Sequence, residues 1–348
     1  MSRTKAQSLS RMGIDIGKNT FHVVGMDDKG NILIRRCFTR VKLIEYLARL
    51  PQTTIGMEAC PGCHWLARKA KSFGHTPCIV PAQFVKPFVK SNKNDLIDAE
   101  AIAEAISRPT MRTVIPKTTA QLDLQALHRI RERVVSHKTA VVNQARAFLL
   151  EYGLTIHSGI AKFTHDMPSL LSDEQNELSP SMRDILIDLW QEYRSLEEKL
   201  LHLRRQIESI ADADGIAKRL TSIPGVGKLT ATAMTAFVGN GQQFKSGRNL
   251  AAWLGLVPRE YSTGGKQRLL GMSKRGNAYL RKLLIHGART CVLHLNRTTN
   301  FLGQWVQLME ERGVHRNKVV VALANKIARI IWAVMTRPGA FYLQQREI

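Results

Sequence analysis

Met12-Gly13-Ile14-Asp15-Ile16-Gly17 places a carboxylate inside an apolar run. The run continues through Phe21, Val23 and Val24 to Met26, and residues 12 to 26 read as one strand. A turn at Asp27-Asp28-Lys29-Gly30 leads into a second strand over residues 31 to 38. Working outward, residues 41 to 50 read as a helix and Thr53 to Met57 as a short strand. Residues 61 to 74 read as a helix ending at Gly74, Cys78 to Val80 as a strand, and residues 94 to 107 as a helix. A hairpin followed by strand–helix alternation is the pattern of an α/β layer built on one sheet.

Four carboxylates stand out in this region. Asp15 lies in the first apolar run, and Glu58 ends another, Thr54-Ile55-Gly56-Met57-Glu58. Asp95 and Asp98 open an Ala-rich helical stretch and, three apart, share one helix face. Carboxylates in or at the ends of apolar strands are costly unless compensated. One or two divalent cations on oxygen ligands would compensate all four, with Mg²⁺ or Mn²⁺ expected.

The rest of the chain has the opposite sign. The formal net charge is +23 over 348 residues, and the pI is about 10.2. That excess favours a polyanionic partner and salt-dependent binding. An acidic metal cluster in a basic protein points to phosphodiester chemistry on nucleic acid. The five cysteines, Cys37, Cys60, Cys63, Cys78 and Cys291, are sparse and odd in number, as in a reducing compartment. Cys60-Pro61-Gly62-Cys63 precedes His64, but a zinc site needs four ligands and there is no second pair. Two small residues at a helix start are the simpler reading. With no signal peptide and no apolar run read as long enough to span a bilayer, a cytoplasmic, nucleoid-associated protein is expected.

From about 118 to 212 the sequence turns helical. Leu186, Leu189, Tyr193, Leu196, Leu200, Leu203, Ile207 and Ile210 alternate spacings of three and four, a heptad seam. Leu127, Val134, Val141 and Phe148 form a weaker repeat. Residues 155 to 180, with Gly159, Pro168 and Pro180, read as the turn of an antiparallel hairpin. The length of the seam favours pairing with a second copy over an intramolecular pair. Further on, Ile223-Pro224-Gly225-Val226-Gly227-Lys228 has the look of a helix-hairpin-helix. Backbone N–H groups at Gly225 and Gly227 could there face a phosphate, next to Lys228. A polar, Gly-rich loop, Ser262-Thr263-Gly264-Gly265-Lys266, follows. A basic helix then opens at Ser273-Lys274-Arg275-Gly276-Asn277 and carries Arg281 and Lys282. Arg129, Arg131 and Arg133 are a further basic set. Residues 318 to 335 read as an apolar core helix.

Taken in order, these stretches resemble the DEDD-type insertion-sequence transposases that carry a second, serine-containing domain, the bridge-RNA-guided recombinases. The landmarks are Gly13 to Lys18, Met57 to Cys60, Asn94 to Ala99, Ile223 to Gly227, and Ser262 to Gly265 ahead of Ser273 to Asn277. The resemblance covers nearly the whole chain. It implies a RuvC-like RNase H fold over 1–115, a coiled-coil helical region over 116–214 and a mostly α transposase domain over 215–348. It also implies Asp15, Glu58, Asp95 and Asp98 as the metal-binding acids. A serine of the Gly-rich loop would attack DNA and leave a phosphoserine link. Ser262 is the assigned position, with Thr263 as the alternative register. Lys266 and Arg268 stand ready to neutralise charge, and the acidic cluster would activate the hydroxyl. DNA, a noncoding guide RNA and a homo-oligomer (dimer or tetramer) are the expected partners. Two other readings compete: a Holliday-junction-type nuclease using metal-activated water, and a non-catalytic nucleic-acid-binding protein.

Overall fold

The computed structural model describes residues 8–90 and 94–342. The chain divides into two compact units, Met1–Thr118 and Thr119–Ile348. The first contains β1 (Arg11–Ile16), β2 (Thr20–Met26), β3 (Ile32–Thr39), α1 (Arg40–Arg49), β4 (Thr54–Glu58), α2 (Cys63–Ser72), β5 (Thr76–Val80), the one-turn α3 (Ala82–Val85) and α4 (Asp95–Ala105). The strands form one sheet in the order β3-β2-β1-β4-β5. β1, β4 and β5 are parallel, and β2 is antiparallel to both its neighbours. This mixed α/β layer is consistent with the RNase H-like expectation.

The run over residues 12 to 26 is two strands, not one. Gly17-Lys18-Asn19 turns the chain, and the Gly17 N–H donates to the Thr20 carbonyl over 3.1 Å. A Cβ on Gly17 would meet that oxygen at 2.3 Å, so the turn requires glycine. Apolar residues on both sides of three short turn residues concealed the reversal.

Alternation then assigns the two faces of the sheet. Met12, Ile14, Phe21, Val23, Ile55 and Met57 pack with Leu43 and Leu47 of α1 and Leu66, Ala67 and Ala70 of α2 in a dry core. Val24 and Met26 pack on the other side with Ala99 and Ala103 of α4. Two glycines let α4 come this close. A Cβ on Gly13 would sit 2.0 Å from the Ala99 carbonyl oxygen, and one on Gly56 would sit 2.8 Å from Ile106 Cγ2.

The second unit contains α5 (Thr119–Glu151), α6 (Ile160–Ser172), α7 (Pro180–Ala213), α8 (Gly215–Leu220), α9 (Lys228–Val238), α10 (Gly247–Trp253), the hairpin of β6 (Pro258–Glu260) and β7 (Leu269–Met272), α11 (Ala278–His294), α12 (Phe301–Glu311) and α13 (Arg316–Thr336). α5 and α7 run antiparallel. Lys138 pairs with Glu197 at 3.2 Å, while Tyr152 and Ser179 meet at 3.4 Å near the other end. Of the heptad seam, Leu186, Tyr193, Leu203 and Ile207 are buried. Leu186 and Tyr193 cluster with Val141, Ala145 and Leu149 of α5. The chain's own helices therefore cover much of a seam whose length favours a second copy.

Two sequence expectations are corrected here. The turn region over 155 to 180 contains α6, with Pro168 inside it. Proline costs that helix a hydrogen bond, but Phe163 and Met167 are fully buried against Tyr193, and packing prevails over propensity. The last helix, Arg316–Thr336, is by length and composition long and apolar enough to cross a membrane. Leu323, Ala324, Ile327, Ala328 and Ile331 are nonetheless fully buried in the core of this unit, which accounts for its hydropathy. A polar tie crosses the same core. His128 of α5 contacts the Tyr279 hydroxyl at 3.0 Å and Thr232 Oγ1 at 3.1 Å. Burial, with Arg131 adding to it, lowers the imidazole pKa to about 4 and keeps it neutral.

Candidate active site

Two of the four acids of the first unit, Asp15 and Glu58, are positioned by a repeated pattern, glycine followed two residues on by a carboxylate. Gly13 and Asp15 lie on one face of β1, and Gly56 and Glu58 on the same face of β4. Ile14 pairs with Met57, so Asp15 and Glu58 come next along these neighbouring parallel strands. The glycines admit α4, and the acids stand beyond them at its N-terminal end. Asn94 caps α4 by accepting from the Leu96 N–H at 2.9 Å, and Asp95 and Asp98 occupy its first turn. The helix dipole favours anions there.

The carboxylates feel one another. The Asp15 carboxyl is held above the usual range, first by burial and then by the charges of Asp95 and Asp98; His22 and a hydrogen bond from Ile16 oppose the shift. Glu58 is raised by burial, Asp15 and Asp98. Glu100 of the same helix differs, being neutralised by Arg35 and by Lys90 at 3.0 Å. A divalent cation would relieve the repulsion among the four, and carboxylate oxygens are the donors that such an ion takes.

Sequence reasoning missed His22. It lies opposite Asp15 in the β1–β2 register, and its Nδ1 is 3.6 Å from Asp95 Oδ2 and 3.9 Å from Asp15 Oδ2. Nearby, burial and the Cys63, Glu58 and Asp15 charges push the Cys60 thiol up to about 11, a protonated and unreactive state. His64 accepts from the Lys117 N–H at 3.2 Å. All five cysteines are free.

Ser262 lies in the second unit, in the exposed loop between β6 and β7. Its Oγ donates to Glu260 Oε1 at 2.7 Å, and the Arg268 N–H reaches the Oγ at 3.4 Å. Glu260 is the second residue that sequence reasoning missed; its signal was its place two residues before Ser262 on a hairpin arm. Thr263 and Lys266 bridge the loop tip. The base of the hairpin is tightly built. A Cβ on Gly255 would meet the Arg275 carbonyl oxygen at 2.0 Å, and one on Gly276 the Trp253 oxygen at 1.8 Å. Arg281 donates to the Leu254 and Arg275 carbonyls, tying α11 to that base. Lys274 adopts φ 54°, in the left-handed region.

The turn between α8 and α9 borders a groove of about 590 Å³ that also takes in Thr290, His294 and Asn296. Its two glycines differ. Gly225 is pressed against α11, where a Cβ would meet the Gly287 carbonyl at 2.8 Å, whereas a Cβ on Gly227 would meet nothing. Lys228 pairs with Asp212 at 2.6 Å.

Comparison with known proteins covers both units. The model of the transposase IS116/IS110/IS902 family matches residues 217–302. A second transposase model, the DEDD type of IS110, matches residues 12–154. The transposase for insertion sequence element IS1328 of Yersinia enterocolitica is 43% identical over 336 residues, 96% of this chain and 99% of the relative. The chain belongs to the IS110 family of insertion-sequence transposases. This transposase is also similar to the transposase for insertion sequence element IS1111A of Coxiella burnetii, 42% identical over 97% of this chain and 93% of that one. A more distant relative, the pilin gene-inverting protein of Moraxella lacunata, is 26% identical over 96% of this chain and 98% of its own length. The DEDD family implies dependence on a divalent metal, and the acidic site of the transposase fits one.

Proposed function

We propose that the transposase cuts and rejoins DNA at the ends of its insertion sequence through a serine–phosphate intermediate. Asp15, Glu58, Asp95 and Asp98 would hold the divalent cations. The observation that supports this reading is the mutual repulsion of these acids, Asp15 feeling the charges of Asp95 and Asp98, and Glu58 those of Asp15 and Asp98. Mg²⁺, or Mn²⁺ in its place, would polarise the scissile phosphate when bound.

Ser262 supplies the nucleophile, with Thr263 as the neighbouring register. Its Oγ bonds to phosphorus as the bond from phosphorus to the leaving sugar oxygen breaks. Glu260 takes the hydroxyl proton, and the sugar oxygen takes one from solvent. The phosphoserine ester retains the phosphodiester energy, so the reverse attack by a new DNA end rejoins strands without a high-energy cofactor. A relative named for inverting a gene suits a chemistry that rejoins what it cuts.

The net charge of +23 supplies the affinity for nucleic acid. Gly225, Gly227 and Lys228 at the α8–α9 turn, a helix-hairpin-helix in this reading, and Lys266, Lys274, Arg275 and Arg281 around the serine hairpin serve the phosphate backbone. A noncoding RNA would supply sequence selection by base pairing. The functional domains follow as 1–115, 116–214 and 215–348. The helical region, where Ile130, Val135, Ile185 and Leu201 are exposed, would join copies into a dimer or tetramer, working at the nucleoid in the cytoplasm.

Asp15→Ala and Asp98→Ala should abolish strand cleavage while DNA binding stays near wild type. Full cleavage by either variant would remove the acidic site from the reaction. RNA extracted from the purified transposase and sequenced should be one discrete species from the element itself; random cellular RNA would argue against a guide.

A further inference from the structure

The acidic site carries a nitrogen donor whose position the carboxylate reading leaves unexplained. His22 is fixed by the sheet. It is the register partner of Asp15 on β2 and lies on the face that carries Val24 and Met26 under α4. Its side chain is 19% exposed, and its Nδ1 is buried without a hydrogen-bond partner. A buried ring nitrogen in that state is costly.

The surroundings narrow the explanation. A protonated imidazole acting as counter-ion would close on a carboxylate at about 2.7–2.9 Å. The observed separations, 3.6 Å to Asp95 Oδ2 and 3.9 Å to Asp15 Oδ2, are longer than such a bond. They fall between the two spacings that ligands of one octahedral ion take, within reach of closing on a shared ion. Ligands about 2.1 Å from an octahedral ion stand about 3.0 Å apart at a right angle and about 4.2 Å apart across the ion. The three donor atoms all lie within 4.8 Å of one another.

We propose that His22 is a metal ligand, so that one cation of the acidic site is held by Asp15, Asp95 and the Nδ1 of His22. The inference rests on the acidic-site reading above and adds a consequence that carboxylates alone do not have. Mg²⁺ keeps to oxygen donors, whereas a mixed nitrogen and oxygen set gains affinity for first-row transition ions. His22 therefore biases this position toward Mn²⁺ or Co²⁺ over Mg²⁺. The tautomer follows as well: Nδ1 carries the lone pair and Nε2 the proton.

Pulsed electron paramagnetic resonance of the full-length protein loaded with Mn²⁺, without DNA, tests this directly. Wild type should show ¹⁴N coupling from a coordinated imidazole, changing to the ¹⁵N pattern when histidine is isotopically labelled. His22→Asn should still bind Mn²⁺ but lose the nitrogen coupling. Its Mn²⁺ affinity should fall by about tenfold, with Mg²⁺ affinity changed less than about twofold, measured by calorimetry. Mn²⁺ bound to wild type without nitrogen coupling, a coupling that persists in His22→Asn, or equal losses for both ions would each overturn the assignment. The wild-type spectrum decides even if the variant does not fold. Failure of wild type to bind Mn²⁺ at all is a different result, and it would remove the acidic-site reading along with this one.

Discussion

Ser262 Oγ donates to Glu260 Oε1 across 2.7 Å, two residues back along the same hairpin. The proposed nucleophile thus has a carboxylate partner within its own hairpin. A proton acceptor at this distance contributes about 10²–10⁴ in rate. Glu260→Gln preserves size and a hydrogen-bonding oxygen but cannot take the proton. It should slow single-turnover attack on DNA by about 10²-fold or more, with DNA binding unchanged. Attack at the wild-type rate would show that another group takes the proton.

The contact between Gly13 and Ala99 predicts a structural dependence of the acidic site. Gly13→Ala would drive a methyl group to 2.0 Å from the Ala99 carbonyl oxygen and 2.6 Å from the Ala103 nitrogen, both backbone. α4 must then move off the sheet, taking Asp95 and Asp98 with it. The expected cost is about 2 kcal/mol or more in denaturant unfolding, together with weaker Mn²⁺ binding. Gly215→Ala, where a Cβ would meet nothing, should stay within about 0.5 kcal/mol of wild type. Equal effects of the two would sink this account of α4 packing.

Acid should destabilise the protein through His128. Its folded pKa is about 4, against 6.5 for the free side chain. Above pH 6.5 the ring is neutral in both states and contributes no pH dependence. As pH falls from 6.5 toward 4, the unfolded chain takes up a proton that the folded one refuses, and stability is lost. Between pH 7 and pH 5 the loss is about 2 kcal/mol. His64, also lowered to about 4, acts with the same sign in the other unit. In His128→Gln, unfolding monitored in the second unit should lose most of this difference between pH 7 and pH 5. An unchanged difference would place the acid sensitivity elsewhere.

Asp15 and Glu58 stood out in the sequence because each lies in or ends an apolar run, and Asp95 and Asp98 because they share one face at a helix start. The helix opening at Asp95 also carried through to structure, and of the heptad positions Leu186, Tyr193, Leu203 and Ile207 are buried within the chain itself. His22 was not legible, for a geometric reason. On one continuous strand, Asp15 and His22 would stand about 23 Å apart and, an odd number of residues apart, would face opposite sides. Only the turn at Gly17-Lys18-Asn19 makes them register partners. α6 was hidden by Pro168, whose local cost is outweighed by the burial of Phe163 and Met167 around Tyr193. The different uses of Gly225 and Gly227 could not be read either, because the close neighbour of Gly225, Gly287, is far away in sequence.

The most direct test of the central claim is peptide mapping of a covalent DNA adduct. The full-length protein, its copurified RNA and DNA carrying the element's ends would be incubated with Mg²⁺ or Mn²⁺, denatured and digested. The account predicts a denaturation-resistant adduct on Ser262, absent in Ser262→Ala and in Asp15→Asn, while Ser262→Ala still binds the metal. An adduct on Thr263 would shift the register by one residue. Strand transfer that proceeds in wild type with no adduct on any residue would contradict the serine mechanism, leaving metal-activated water as the nucleophile.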